Sequence, residues 1–150
     1  MRQKHTQAFI AIAAFLFVTA FSSQNAFSQC KSFVKDSCLP QLAPFIHDGN
    51  YHSVIMSEGE EAEVYKTIFA GQRYRLMICI DPALPDVEFV VTDIRRNILF
   101  DNRKNDNARV WDFRPDGSQQ IKVTIRLPQP RKEGEPALGC VAVVFGMLDQ

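Results

Sequence analysis

The sequence predicts an all-β protein: an antiparallel β-sandwich with a short N-terminal helix, carried behind a cleaved signal peptide. Three observations lead there. Apolar positions recur with a period of two from Tyr51 to Leu148. Turn-forming residues separate these runs into seven or eight short segments, the spacing of a sandwich. A basic, then apolar, then polar leader precedes all four cysteines. Residues 1–28 are read as the signal, 29–50 as a short helical lead-in and 51–150 as the sandwich.

Arg2, Lys4 and His5 begin the leader, and Ala8 to Phe21 follows as an apolar run broken only by Thr19. Small residues at Ala26 and Ser28 place a signal-peptidase cut after Ser28. The apolar run covers about 21 Å as a helix, short of a hydrocarbon core of roughly 30 Å. Acylation of Cys30 would need a small residue before it, and Gln29 stands there.

In the lead-in, Phe33, Val34, Leu42 and Phe45 can share one helical face. Pro40 and Pro44 confine the helix to Lys31 to Ser37, with irregular chain beyond it as far as a turn at Asp48-Gly49-Asn50. Strands are then expected at Tyr51 to Ser57, Glu63 to Phe69, Arg73 to Ile80, Val87 to Thr92, Ile98 to Phe100, Val110 to Phe113, Ile121 to Leu127 and Cys140 to Leu148. In the third, Tyr74, Leu76, Ile78 and Ile80 face one way and Arg73, Arg75, Met77 and Cys79 the other. In the seventh, Ile121, Val123, Ile125 and Leu127 face inward. The eighth is apolar on both faces, which marks a strand covered on both sides. Asp93 to Asn97 and Pro115-Asp116-Gly117 turn the chain. No strand–helix alternation favours a parallel sheet.

The chain carries 17 basic and 17 acidic residues. Without Arg2 and Lys4 the balance is 15 against 17, a net of −2. A nearly neutral chain has no long-range field to draw in nucleic acid or an anionic membrane. An even cysteine count after an export signal points to disulfides. Cys79 and Cys140 lie in two well-defined strands, so Cys79–Cys140 is the expected bond, worth on the order of 4 kcal/mol in the chain-entropy model. Cys30–Cys38 follows by elimination, although on one continuous helix the two would stand about 12 Å apart along the axis. No closely spaced cysteine pair suggests zinc.

The chemistry-bearing residues are few. His47 and His52 are the only histidines after the signal, with Asp48, Ser53 and Ser57 nearby. No G-x-S-x-G elbow accompanies them, and no catalytic set is assigned. Asp101, Asn105, Asp106 and Asn107 offer oxygen ligands of the kind calcium takes, without the spacing of an EF-hand. Trp111 alternates in phase with Phe113, which places it in the core rather than on a sugar-stacking platform. The long, charged, proline-rich connection Gln129 to Glu135 is the expected place for a protein contact.

Four pieces carry a family resemblance: Glu58-Gly59-Glu60, Phe69-Ala70-Gly71-Gln72-Arg73-Tyr74, Asp93 to Leu99, and Gln119 to Ile125. In this order they resemble the bacterial pre-peptidase C-terminal domain, a sandwich module found beside secreted proteases. The whole mature chain is similar to an uncharacterised family of small secreted bacterial proteins through Cys38-Leu39-Pro40, His47-Asp48-Gly49-Asn50, Trp111-Asp112-Phe113 and Gly139-Cys140-Val141. The resemblance implies a jelly-roll sandwich and leaves activity open.

The reading is a secreted or periplasmic, non-catalytic binding or envelope-associated accessory module without cofactor. Its expected partner is a protein or glycan in the envelope or outside the cell. The alternative is a carbohydrate-binding module with structural calcium.

Overall fold

The computed structural model describes residues 30–130 and 134–148. The segment read as a signal, Met1 to Ser28, lies outside the described residues, so its cleavage stays an expectation. Eight strands follow the lead-in: β1 (Ile46–Ser57), β2 (Glu61–Ile68), β3 (Arg73–Ile80), β4 (Glu88–Asp93), β5 (Ile98–Asp101), β6 (Val110–Phe113), β7 (Gln119–Arg126) and β8 (Leu138–Leu148).

They form two antiparallel four-stranded sheets. The first runs β1-β8-β3-β6 and the second β2-β7-β4-β5. The pairs β1/β8, β2/β7, β3/β6 and β4/β5 nest as one long folded hairpin, with β3/β8 and β4/β7 closing the sheets. This order is the jelly roll, which the resemblance implied. The period-two pattern produces it: alternate side chains of each strand meet between the sheets. Leu76, Ile78, Phe89, Val91, Val123, Ile125, Val143 and Phe145 are sealed there. Tyr74 is buried with them, and its hydroxyl accepts the Phe69 N–H at 3.0 Å, which fixes the β2–β3 turn.

A second, smaller core lies on the outer side of the first sheet. Val34, Cys38 and Leu42 of the lead-in pack on Met77, Cys79, Ala142 and Val144. This explains why β8 is apolar on both faces. The helical path runs further than Pro40 suggested: a turn at 30–33 continues into Val34–Cys38 and then Leu39–Leu42. Pro40 falls in the first turn of that last piece, where a missing N–H removes no bond. Arg75 clamps its end, donating to the carbonyls of Leu42 and Ala43 at 3.3 and 3.1 Å and stacking on Phe45.

The cysteine pairing corrects the expectation. Cys30 bonds Cys140, and Cys38 bonds Cys79. The expected partners are badly placed. Cys79 pairs in register with Ala142, so Cys140 is its diagonal neighbour, at about 7–8 Å and beyond disulfide reach. The unbroken helical path keeps Cys30 from Cys38. Both lead-in cysteines instead sit over the outer face of the first sheet, and each is stapled to a different strand.

Strand β1 also begins earlier than Tyr51. Asp48-Gly49-Asn50 forms a bulge inside it, between the register positions His47 and Tyr51, rather than a turn before it. Gly49 takes φ 90° there, and the Asp48 Oδ1 accepts the Asn50 N–H at 2.9 Å.

Candidate functional site

The two outer faces of the sandwich differ. The lead-in and both disulfides cover the first sheet. On the second sheet, alternation turns Glu61, Glu63 and Tyr65 of β2 outward beside Lys122, Thr124 and Arg126 of β7. These outward side chains are exposed or half-buried. Cross-strand ion pairs hold several of them in place. Lys122 donates to Glu63 at 2.7 Å, Tyr65 donates to the same carboxylate at 3.0 Å, and Arg126 donates to Glu61 at 3.0 Å. The Lys122 ammonium and then the Tyr65 hydroxyl hold the Glu63 carboxyl below its ordinary pKa, and Glu63 raises that of Lys122 in return.

At one end this face dips into a depression of about 200 Å³. Its lining is Tyr65, Thr92, Asp93, Ile94, Arg96 and the β7 run 120–122. The β4–β5 turn forms one wall. Asp93 stiffens it by accepting the N–H groups of Arg95 and Asn97 and the Asn97 side-chain amide, all at 2.8 Å. The Asn97 amide is the main reason the Asp93 carboxyl is held below its ordinary pKa. The braced turn sets Arg96 at φ 66° and leaves Ile94 73% exposed at its tip. Thr92 pairs with Lys122 across β4/β7, and its hydroxyl is buried with no hydrogen-bond partner among the described residues.

Chain direction places the β2–β3, β4–β5 and β6–β7 turns at the same end of the sandwich. The first and third are tied together: Gly71 N–H donates to the Pro115 carbonyl at 2.9 Å, Ala70 N–H to the Ser118 hydroxyl at 2.9 Å, and Arg114 to the Gly71 carbonyl at 2.6 Å. Phe69, 62% exposed, projects from this braced pair. Rigid turns with exposed apolar tips suit recognition, since little ordering entropy remains to be lost on binding.

No family model matches this sequence, and no curated protein matches it. Among solved structures, the chain is similar to PliG of Aeromonas hydrophila, a periplasmic lysozyme inhibitor of g-type lysozyme, at 15% identity and a TM-score of 0.45. The match covers 64% of this chain and 84% of that one. A likeness of this size carries no functional argument.

The residues singled out in the sequence fall elsewhere. His47 and His52 flank the β1 bulge, and the His47 Nε2 lies 3.2 Å from the Asn50 carbonyl. His52 and Ser53 instead line a cleft between β1 and β2 with Val54, Val64 and Val143. Asp48 is engaged by Lys66. The oxygen ligands of the β5–β6 loop do not converge. Asp101 is taken up by Arg103, which holds its carboxyl below the ordinary range, and Asn105 donates to the Asp101 carbonyl at 2.8 Å. No group of three or more His, Cys, Asp or Glu side chains stands ready for a metal among the described residues. Trp111 is half-buried, stacked between Phe100 at 5.2 Å and Phe113 at 4.0 Å between ring centroids. In the connection Gln129 to Glu135, residues 131–133 lie outside the described residues.

The depression was missed because it is assembled from β2, β7 and β4, and only their register makes neighbours of Tyr65, Lys122 and Thr92. One usable signal existed: a double arginine, Arg95-Arg96, inside an Asp-to-Asn turn, a charged pair that the turn itself does not need.

Proposed function

We propose that this is an exported, non-catalytic binding module that engages a protein partner through the open second sheet and the turns at its Phe69–Ile94 end. One observation carries the reading. The lead-in and both disulfides close one outer face, while the other keeps a braced array of side chains, a depression and two exposed apolar tips. Exposed apolar groups at one end, with arginines beside them, are the composition of a protein interface. Export to the periplasm or beyond fits the two disulfides and the leader pattern. The likeness to the pre-peptidase C-terminal module is kept here as a statement about the sandwich, with Phe69 and Asp93 of its motifs bracing the proposed end.

The test is site-specific photocrosslinking in the producing cell, with the crosslinker placed at Phe69, at Ile94 and, at the far end, at Asp106. One discrete protein adduct from Phe69 and Ile94, and none from Asp106, is the expected result. Adducts of equal yield from both ends, or none at all, would overturn the reading.

A glycan reading has one specific observation in its favour: Tyr65, 54% exposed, lines the depression. It predicts glycan-array binding that Tyr65→Ala abolishes and Trp111→Phe leaves intact.

A further inference from the structure

We infer that the Phe69–Ile94 end recognises an acidic segment of its partner, with Arg96 taking a carboxylate at the mouth of the depression. The inference rests on the binding reading and names the partner's chemistry.

The mature chain is slightly acidic, yet this end is basic. Arg95 and Arg96 stand on the β4–β5 turn, Arg114 on the β6–β7 turn and Arg73 at the start of β3. Among the described residues no carboxylate forms a salt bridge with any of the four. Among the described residues, the acidic groups nearby are already committed, Asp116 apart. Asp93 accepts three N–H donors of its own turn. Glu63 is held by Lys122 and Tyr65, Asp48 by Lys66, and Asp112 by Arg75. Asp116 remains, on the β6–β7 turn. Arg96 therefore keeps a planar fork of donors with no anionic partner, on a turn that cannot easily swing away. Around it stand the Tyr65 ring and phenol, the Ile94 side chain, the Gln120 amide and the Lys122 ammonium, with the Asp93 carboxylate held by its own turn. A carboxylate with a short apolar stem matches that lining, and a cavity of about 200 Å³ admits one such side chain. A bare spherical anion would use the fork and leave the apolar wall unused.

The test is an amide-resolved NMR titration of the mature, oxidised protein. The probe is the peptide acetyl-Glu-Glu-Phe-Glu-Glu-amide, with its glutamine counterpart as the uncharged control. The expected result is saturable shifts confined to residues 92–97 and 120–122 with the acidic peptide and absent with the control. Affinity should fall as salt is raised. Arg96→Gln should weaken binding about fivefold, the worth of one partly exposed charge pair. Arg109→Gln, at the opposite end, should change nothing. Equal response to both peptides, no response, or an unaltered affinity in Arg96→Gln would overturn the inference. So would sulfate displacing the peptide at equal concentration, the mark of an adventitious ion only. Should photocrosslinking from Phe69 and Ile94 persist unchanged in Arg96→Gln, this inference falls and the binding reading stands.

Discussion

Asp48 on β1 and Lys66 on β2 form an ion pair that joins the first sheet to the second at the open edge of the sandwich. The Asp48 side chain is only 4% exposed and that of Lys66 22%. The Lys66 ammonium also sits 5.4 Å from the centroid of the Phe145 ring. Both ions are thus partly stripped of water and rely on each other. Breaking such a pair from one side leaves an uncompensated charge, whereas removing both charges does not.

Lys66→Met is therefore expected to lower stability by about 3 kcal/mol. The double change Asp48→Asn with Lys66→Met should recover most of that loss. Urea denaturation of four proteins, the parent, Asp48→Asn, Lys66→Met and the double variant, checks the cycle. Additive losses in the double variant would mean that the two side chains act separately.

The disulfides offer a sharper check. Protease digestion without reduction, followed by mass spectrometry, should recover Cys30 linked to Cys140 and Cys38 linked to Cys79. Each bond spans a long stretch of chain, 110 and 41 residues. Replacing Cys38 and Cys79 together by serine should cost about 3 kcal/mol. A peptide carrying Cys79 bound to Cys140 would contradict the fold of the lead-in.

How much of this was readable in advance depends on the range of the interaction. The strands were, because alternation is local: the Arg73 to Ile80 segment shows both its faces within eight residues. The jelly-roll order came from the resemblance and not from alternation, which says nothing about which strand lies beside which. The cysteine partners were not readable, since Cys79 and Cys140 read as natural mates until register makes them diagonal. The bulge at Asp48-Gly49-Asn50 reads as a turn because turns and bulges want the same residues. Trp111 was placed by its phase with Phe113, and the stack bears that out as a half-buried contact. The depression needed three strands in register before it existed at all.

Acid should unfold the protein through its committed carboxylates. Glu63 is held below its ordinary pKa chiefly by Lys122, Asp93 chiefly by the Asn97 amide, and Asp101 chiefly by Arg103. A carboxyl with a lowered folded pKa lends stability above its unfolded value, and the stability is lost as pH falls through the folded one. The melting temperature should hold steady from neutrality to about pH 4.5, then drop towards about pH 2. Glu63→Gln with Asp101→Asn should flatten that drop. An unchanged acid slope would assign the loss to other groups.

Asn102 gives the opposite sign. It is fully buried in the β5–β6 loop, where its side-chain oxygen accepts the Phe89 N–H at 2.8 Å and its amide donates to the Val87 carbonyl at 2.9 Å. Both contacts anchor the start of β4. Asn102→Asp keeps the shape and the acceptor, but at neutral pH it sets a buried carboxylate against the Val87 carbonyl, with no donor left for it. The variant should be less stable by about 3 kcal/mol there. Burial raises the pKa of the introduced carboxyl above its unfolded value, and the neutral acid can again donate to Val87. Its deficit against the parent should therefore be smallest below about pH 4 and grow as pH rises through the raised pKa. Melting curves of the two proteins across that range decide the matter. A deficit that stays constant with pH would mean that the Val87 contact is not what Asn102 supplies.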